Sequence, residues 1–573
     1  MPFSSLRYRT ADPQTWGILL YRNWPRAFRY QMFSARLPRG SNCFICHRNP
    51  LTGLERLPAG GHLVAAPYVS GSSVAVPRAG LGSDLVSRPI DGNVGIDVKW
   101  LPTADNAIDF TANPDFSQVE SDTAQISTNE RFALFFPEKR PFFLEGVDLF
   151  STPLQAVYTR TITAPEIGGR ATGKQNGIRY TVLVAKDEGG GSMILPGPNG
   201  SDLADQDFGS SFLIARAKRD LGLSFVSMLA TLRENADGNG HNRVVGPDFQ
   251  WRPSGSDVIS GQLLYSDTRT PRRPDLTATW DGRALGGHAL RAEWNHNTAH
   301  FDWSGDYRDI ADDFRADTGF IPQVGMREMS AETGWTFRPN GFLRRVRTYL
   351  EVERQVDRNG ALIVRQIEPT IGMDSKLGGF MQFRYLDERV RTGGIVLPRR
   401  LFGYVAEFSP SRRWSHVSVD GTAGRDVDFT ESRPGTGATV NLSASLHPTD
   451  HLGIELIRNQ RWLNIDRPDG RGGRQRLFTA NVSRLKGTYT FTPRLFVRAI
   501  AQYVSTDRDP LLFSSVVADR SGTFGGSLLL AYKLNWQSVL FVGYGDNREL
   551  TDRRDLARLD REVFLKMSYA FQK

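Results

Sequence analysis

Arg561-Glu-Val-Phe-Leu-Lys-Met-Ser-Tyr-Ala-Phe-Gln-Lys573 ends the chain. Leu565, Met567, Tyr569 and Phe571 alternate here with Lys566, Ser568, Ala570 and Gln572. Residues two apart on a strand share a face, so one face is apolar and aromatic and the other is small or polar. An amphipathic edge strand of a soluble sheet has this period. So does a strand with hydrocarbon outside and water inside. The rest of the chain decides between the two.

The chain has 573 residues, too many for one ordinary soluble core. Only 39% are hydrophobic, and no run approaches the roughly 18 apolar residues of a membrane helix. That excludes a helical membrane protein but leaves a barrel open, because a barrel spreads its lipid-facing residues through a period-2 pattern. The abundant Phe (34), Tyr (16) and Trp (11) suit interfacial girdles, and the 56 Gly suit twisted strands and turns. The net charge of +9 comes from 71 basic and 62 acidic residues, interleaved. This is no nucleic-acid footprint; a polar lumen and loops facing anionic lipopolysaccharide account for it. Two cysteines, Cys43 and Cys46, do not staple a fold. Met1–Thr10 lacks the apolar core of a signal peptide, so the signal an exported protein needs is expected upstream of this start.

From about residue 165 the chain keeps a two-stroke rhythm. Ten short turns rich in Pro, Gly, Asn and Asp lie at 174–177, 219–222, 252–255, 296–298, 338–341, 374–377, 409–412, 447–450, 492–494 and 534–537. Long polar loops are expected between them, at 188–207, 268–285, 309–322, 425–436, 460–473, 506–521 and 547–560. Short turns at one end and long loops at the other are the asymmetry of an outer-membrane barrel. The strands alternate accordingly: Val346, Thr348, Leu350 and Val352 oppose Arg347, Glu351, Glu353 and Gln355, and Leu495, Val497, Ala499, Ala501 and Tyr503 oppose Arg498 and Gln502. Ten turns pair twenty strands. The C-terminal strand and an expected strand at 155–163 make twenty-two, and a hairpin within 95–112 makes twenty-four.

Residues 113–154 break the rhythm. The stretch from Asn129 to Gly146 mixes five Phe with Glu130, Arg131, Glu138, Lys139, Arg140 and Glu145. Such a mixture does not suit a lipid face. It suits a segment folded into the mouth of a wide barrel, with its charges paired to lumen residues.

Three stretches carry a family resemblance: Asn113-Pro-Asp-Phe-Ser-Gln-Val-Glu-Ser-Asp122, Phe135-Phe-Pro-Glu-Lys-Arg-Pro-Phe-Phe-Leu-Glu-Gly146 and Asp313-Phe-Arg-Ala-Asp-Thr-Gly-Phe-Ile-Pro322. They resemble signatures of an uncharacterised bacterial family in which an outer-membrane barrel of unknown function follows a domain similar to family-9 carbohydrate-binding modules. The aromatic-x-aromatic ending likewise looks like the signal that such barrels present to their assembly machinery. The resemblance covers essentially the whole chain; residues 1–60 resemble only the last strands of the carbohydrate-binding-like domain. It implies a barrel fold at the cell surface; with the turn count and the broken rhythm of 113–154, the expectation is an all-β fold, a transmembrane antiparallel barrel of about 22–24 strands over 95–573 with a plug-like insert at 113–154, a linker at 61–94 and a periplasmic β-sandwich remnant at 1–60.

Few constellations suggest chemistry. Cys43-Phe-Ile-Cys46-His47 matches the C-x-x-C-H pattern of c-type haem attachment, but no axial partner stands out; a local disulfide or dithiol pair and inert thiols are the alternatives. Asp115, Glu120 and Asp122 could hold calcium with backbone oxygens, or be solvated or salt-bridged carboxylates. Glu138, Lys139, Arg140 and Glu145 could set a field in a constriction, anchor the segment, or do both. No nucleophile elbow, phosphate loop or His-Glu-x-x-His is present. The function expected is passage or capture of polar, saccharide-related solutes at the cell surface, with no bound cofactor or metal. The expected partners are outer-membrane lipid, lipopolysaccharide, the assembly machinery and a saccharide, and no nucleic acid. The alternatives are a barrel enzyme acting on glycans or lipids, and a scaffold for surface assembly or secretion.

Overall fold

The computed structural model describes residues 11–572 except 26–28, 39–43, 58–61, 104, 117–118, 467–472 and 536. Twenty-four antiparallel strands close into one barrel. Outward side chains are apolar and exposed, and inward ones are polar or packed on chain inside the lumen. The C-terminal strand shows why. Leu565, Met567, Tyr569 and Phe571 are exposed on the outer face while Lys566 and Ala570 are buried within. Among the outward aromatics at the short-turn end are Trp251, Trp294, Phe301, Trp335, Phe337, Trp414, Tyr489, Phe491 and Phe571, all exposed. Several pair, as Trp294 and Trp303 do at 4.9 Å and Tyr489 and Phe491 at 4.8 Å between centroids. A ring of amphipathic side chains at one edge of an apolar band is the interfacial girdle of a membrane barrel.

All ten short turns lie where the sequence places them, but the closure differs. The linker expected at 61–94 contains a barrel strand, His62–Pro77, so the barrel begins there and not at 95. This strand takes the C-terminal strand as one neighbour, with Met567 opposite Val69 and Phe571 opposite Ala65. Its other neighbour is Asp91–Thr103. Conversely, the strand expected at 155–163 is no strand; a single 3-10 turn, Thr159–Thr161, lies there. The total is therefore right with one member exchanged. Small residues disguise the true strand: Val64, Ala65, Ala66, Pro67, Ser70, Gly71, Ser72 and Ser73 alternate weakly.

Three expected loops are also shorter. The connections after Trp414–Asp428 and Val539–Leu550 are only 429–432 and 551–555, and Leu452–Asp466 runs well into 460–473. Ladders continue past the apolar band, where strand residues are as polar as loop residues. Within 1–60 the described residues form two two-stranded ladders, Gln14–Ile18 with Asn49–Leu54 and Tyr21–Pro25 with Arg29–Phe33.

The strands Asn106–Ala112 and Pro165–Gln175 pair directly, with Ala112 opposite Ile167. Residues 113–164 are thus the loop of a hairpin, turned inward at the long-loop end. They extend the insert expected at 113–154 by ten residues.

Candidate functional site

The lumen and this inward segment form the site. Tyr68 fixes the segment's entrance: its hydroxyl bonds to the Asn113 carbonyl and accepts from the Asp115 amide at 3.1 Å. The ring crosses Gly95, where any Cβ would overlap the hydroxyl, so glycine is required at that crossing. Lys566 completes the corner, with Nζ donating to the Asp115 carbonyl at 2.6 Å and standing 3.7 Å from its carboxylate.

The segment then reaches a second stretch of wall, near the C-terminal strands. Arg484, on Arg474–Thr492, donates to Glu120 Oε1 at 2.9 Å and to the Ser121 and Asp122 carbonyls at 3.1 and 3.2 Å. Lys486 and Arg498 lie 3.0 and 3.6 Å from Glu120 Oε2. Burial opposes ionisation of this carboxyl, but the three cations hold it below the usual glutamate range. Farther on, the Ala124 amide donates to Gln502 at 3.1 Å, Asn129 bonds the backbone of Val427 and Phe429, and Glu130 pairs with Arg461. Ile126 packs here on the apolar cluster that contains Leu463 and Leu477.

Residues 141–162 return to the first wall and bury a different surface. Phe143, Phe150, Leu154, Ala156 and Ile162 pack on inward Leu183, Phe212, Ile214, Leu229, Leu264 and Phe314 in one continuous core. Wall polar groups meet the backbone: Arg216 donates to the Leu149 and Ser151 carbonyls at 2.9 and 2.6 Å, Arg291 to Pro153 at 2.7 Å, and Gln262 accepts from the Leu154 amide at 2.8 Å. Glu145 pairs with Lys99 and Arg170.

A knot within the segment shapes its middle. Glu138 receives Arg140 bidentately at 2.9 and 2.7 Å, the Thr159 hydroxyl at 2.7 Å and the amides of Lys139 and Arg140 at 3.0 and 2.9 Å. Its burial would raise its pKa, yet these bonds, Arg140 foremost, hold it below the usual range. Asp122 is bound by Lys139 at 3.3 Å and by Arg160. The loop 311–325 folds down onto this knot, and Phe135, Tyr158 and Phe320 form a triangle of rings 5.1–5.3 Å apart. The three sequence signatures, 113–122, 135–146 and 313–322, therefore meet inside one lumen.

Of the residues singled out in the sequence, Asp115, Glu120, Glu130 and Glu145 reach barrel-wall cations, and Asp122, Glu138, Lys139 and Arg140 bind within the segment. Arg131 bonds the Asn199 carbonyl at 3.0 Å and lies over Phe132 and Phe429. Asp115, Glu120 and Asp122 do not converge: each pairs with different cations. Among the described residues no group of three or more His, Cys, Asp or Glu could hold a metal ion. Cys46 is disulfide-bonded and His47 ends the 3-10 turn Ile45–His47; Cys43 lies outside the described residues.

Sequence reasoning missed the wall. Glu328, Glu332, Glu351, Glu353, Glu368 and Glu388 all face inward on four consecutive strands, Met326–Phe337 through Phe380–Thr392. Glu332, Glu351 and Glu368 share one cross-strand row. Arg308, Arg347, Arg384 and Arg399 answer some of these charges, at 2.5 to 3.8 Å. Among the described residues Glu351 and Glu353 have no ion pair. Like charges directly opposite cost stability, and the four arginines offset part of that cost. The alternation that marks Glu351, Glu353, Arg498 and Gln502 as one-faced was visible; which face held water, and what lay across it, was not.

Residues 62–179 match the family model described as a domain of unknown function, DUF5916. No curated protein sequence matches the chain. Among solved structures the chain is similar to the siderophore receptor PirA from Acinetobacter baumannii, at 9% identity over 92% of this chain and 83% of that one, TM-score 0.42. It is similar to the FrpB iron transporter from Neisseria meningitidis (F3-3 variant), at 10% identity over 92% and 85%, TM-score 0.41. It is also similar to OccK2 (OpdF) from Pseudomonas aeruginosa, at 14% identity over 70% and 99%, TM-score 0.29. The family suspected from the motifs fits: a domain of unknown function occupies the first four strands of an outer-membrane-type barrel and the inward segment between them.

Proposed function

We propose that the protein passes polar solutes across the outer membrane through its lumen, with residues 113–164 as a constriction element and the long-loop end at the cell surface. The size of the barrel against that of the insert carries the reading. Twenty-four strands about 4.8 Å apart and tilted about 40° enclose a backbone cylinder roughly 48 Å across if circular. A segment of roughly fifty residues, much of it packed on one wall, cannot fill that cylinder. Elsewhere the wall carries an inward acidic sector (Glu328 to Glu388) with its arginine partners, which suits polar and charged solutes. A saccharide-related solute is the extension suggested by the family resemblance of residues 1–60.

Planar-bilayer conductance tests this. Because Ala112 and Ile167 face each other across the ladder, 113–164 can be replaced by a short turn. The full chain should conduct and the shortened one should conduct more. Absence of conductance from both, with heat-modifiable gel mobility showing folded barrels, would overturn the proposal.

A further inference from the structure

The outer face of the barrel carries two arginines that meet only neutral acceptors. On Leu452–Asp466 the outward side chains are apolar at Leu452, Ile454 and Leu456, and then read Arg458, Gln460, Trp462 and Asn464 toward the long-loop end. The next strand changes at the same level: exposed Leu485 is followed by Ser483, directly opposite Arg458, and by Asn481. Arg458 thus stands at the edge of the apolar band, and it leans outward from it. It donates to the Ser483 hydroxyl and, at 2.8 Å, to Asn481 Oδ1. A β-bulge at Leu477 brings Arg476 opposite Asn464 and so turns it to the same outer face. Arg476 donates to Asn464 Oδ1 at 2.8 Å and to the Thr479 hydroxyl at 3.1 Å, with its guanidinium 5.6 Å from the centre of a Trp462 ring. Thr479 and Asn481 are two residues apart on one strand, about 7 Å, so the two guanidinium groups are neighbours. Both arginines are exposed, and among the described residues neither has an ion pair.

A groove of about 660 Å³ adjoins Arg458 on this face. Its floor is small, at Ala444, Ser483 and Ala501, and its walls include Leu456, Leu485 and Tyr503. We infer that Arg458 and Arg476 bind the phosphate of an outer-leaflet glycolipid, the lipid A of lipopolysaccharide, with one of its acyl chains in the groove. Guanidinium groups hold phosphate by paired, charge-assisted hydrogen bonds. Neutral acceptors fix both side chains without cancelling their charge, and a lipid-facing cation is tolerated best at the interface, where lipid phosphates lie. The anion and the apolar tail required are thus joined in one molecule. The inference shares with the proposed function only the placement of the long-loop end at the cell surface, and does not depend on solute passage.

Native mass spectrometry of the full chain in detergent, titrated with purified bis-phosphorylated lipid A, tests the site. The parent should bind lipid A, and the double variant Arg458→Gln with Arg476→Gln should bind it about tenfold more weakly while remaining heat-modifiable. Arg458→Lys with Arg476→Lys should recover part of the loss, which a purely structural role in bonding Asn481 and Thr479 would not require. Lipid A stripped of its phosphates should bind the parent as weakly as intact lipid A binds the glutamine variant, and phosphatidylglycerol at equal concentration should not displace it. Equal affinity of the parent and the folded glutamine variant, equal affinity with and without the phosphates, or displacement by phosphatidylglycerol would overturn the site. If lipid A binds as expected but neither the full nor the shortened chain conducts, this site stands and solute passage falls.

Discussion

Glu138→Gln isolates the knot that shapes the inward segment. The Glu138 side chain is 7% exposed and that of its partner Arg140 12%, and all its bonds stay within the segment. The amide keeps the carboxylate's shape and can still accept from the Lys139 and Arg140 amides. It cannot receive both guanidinium nitrogens, so Arg140 is left buried and cationic with the Thr159 and Ile162 carbonyls and a single neutral contact to the amide oxygen. Breaking a buried pair from one side costs about 3–5 kcal/mol. The retained amide contacts argue for the lower end, and about 3 kcal/mol is about a hundredfold in an equilibrium. The cost should appear as local opening of the segment and not as loss of the barrel. Limited trypsin digestion reads it, because Arg131, Lys139, Arg140 and Arg160 lie in or beside the knot and cleavage tracks the open population when reclosing is fast. Cleavage should rise about a hundredfold with heat-modifiable mobility unchanged. A folded variant cut within twofold of the parent rate would show that the ion pair does not hold the segment.

Phe143→Ala removes a ring that is 1% exposed in the apolar half of the segment, and should cost about 3–5 kcal/mol of local stability; hydrogen exchange of amides 141–162 should speed up while that of the barrel strands does not. Val69→Cys with Met567→Cys should form a disulfide, since these outward residues are opposite one another across the seam; failure to cross-link would mean that His62–Pro77 does not close the barrel. Protection of the segment should also depend on pH. Glu120 and Glu138 have folded pKa values below their unfolded ones. Their contribution is therefore fully present above about pH 4.3, the ordinary glutamate value, and is lost as pH falls below it through the depressed values. Hydrogen exchange corrected for intrinsic rate should show constant protection from neutrality to that point and a steep loss beneath it.

The wall of this molecule was legible because it is a repeating local pattern. Alternation along 346–356 and 495–503 fixed which residues share a face, and turn chemistry fixed where the chain reverses. His62–Pro77 was missed for the same reason: its Ala, Ser, Gly and Pro residues carry little contrast between faces, and only its partner, the C-terminal strand nearly five hundred residues away, reveals its place. At the other margin, 155–163 alternates like a strand, yet Val157 and Ile162 are committed to the core that covers the inner wall. Local period cannot separate a strand that belongs to the barrel from a chain that lies against it.

The contents of the lumen obey a different logic. Mixed Phe and charge in 129–146 excluded a lipid face, but Arg461, the partner of Glu130, lies 331 residues away, and Lys566, the partner of Asp115 at the start of the insert, lies 451 away. No spacing in the sequence encodes such pairs. Their number still follows from topology: a hairpin loop turned inward at one point of a wide barrel must cross water to reach the far wall, and each backbone or side-chain group it orders there must find a partner. The near wall adds a continuous apolar core to its cations, whereas the far wall holds the segment mainly through cations and hydrogen bonds, so the two halves of one segment differ in how much apolar surface they bury. A loop built in this way can release its far end without unfolding its near one, which a uniformly packed plug could not do.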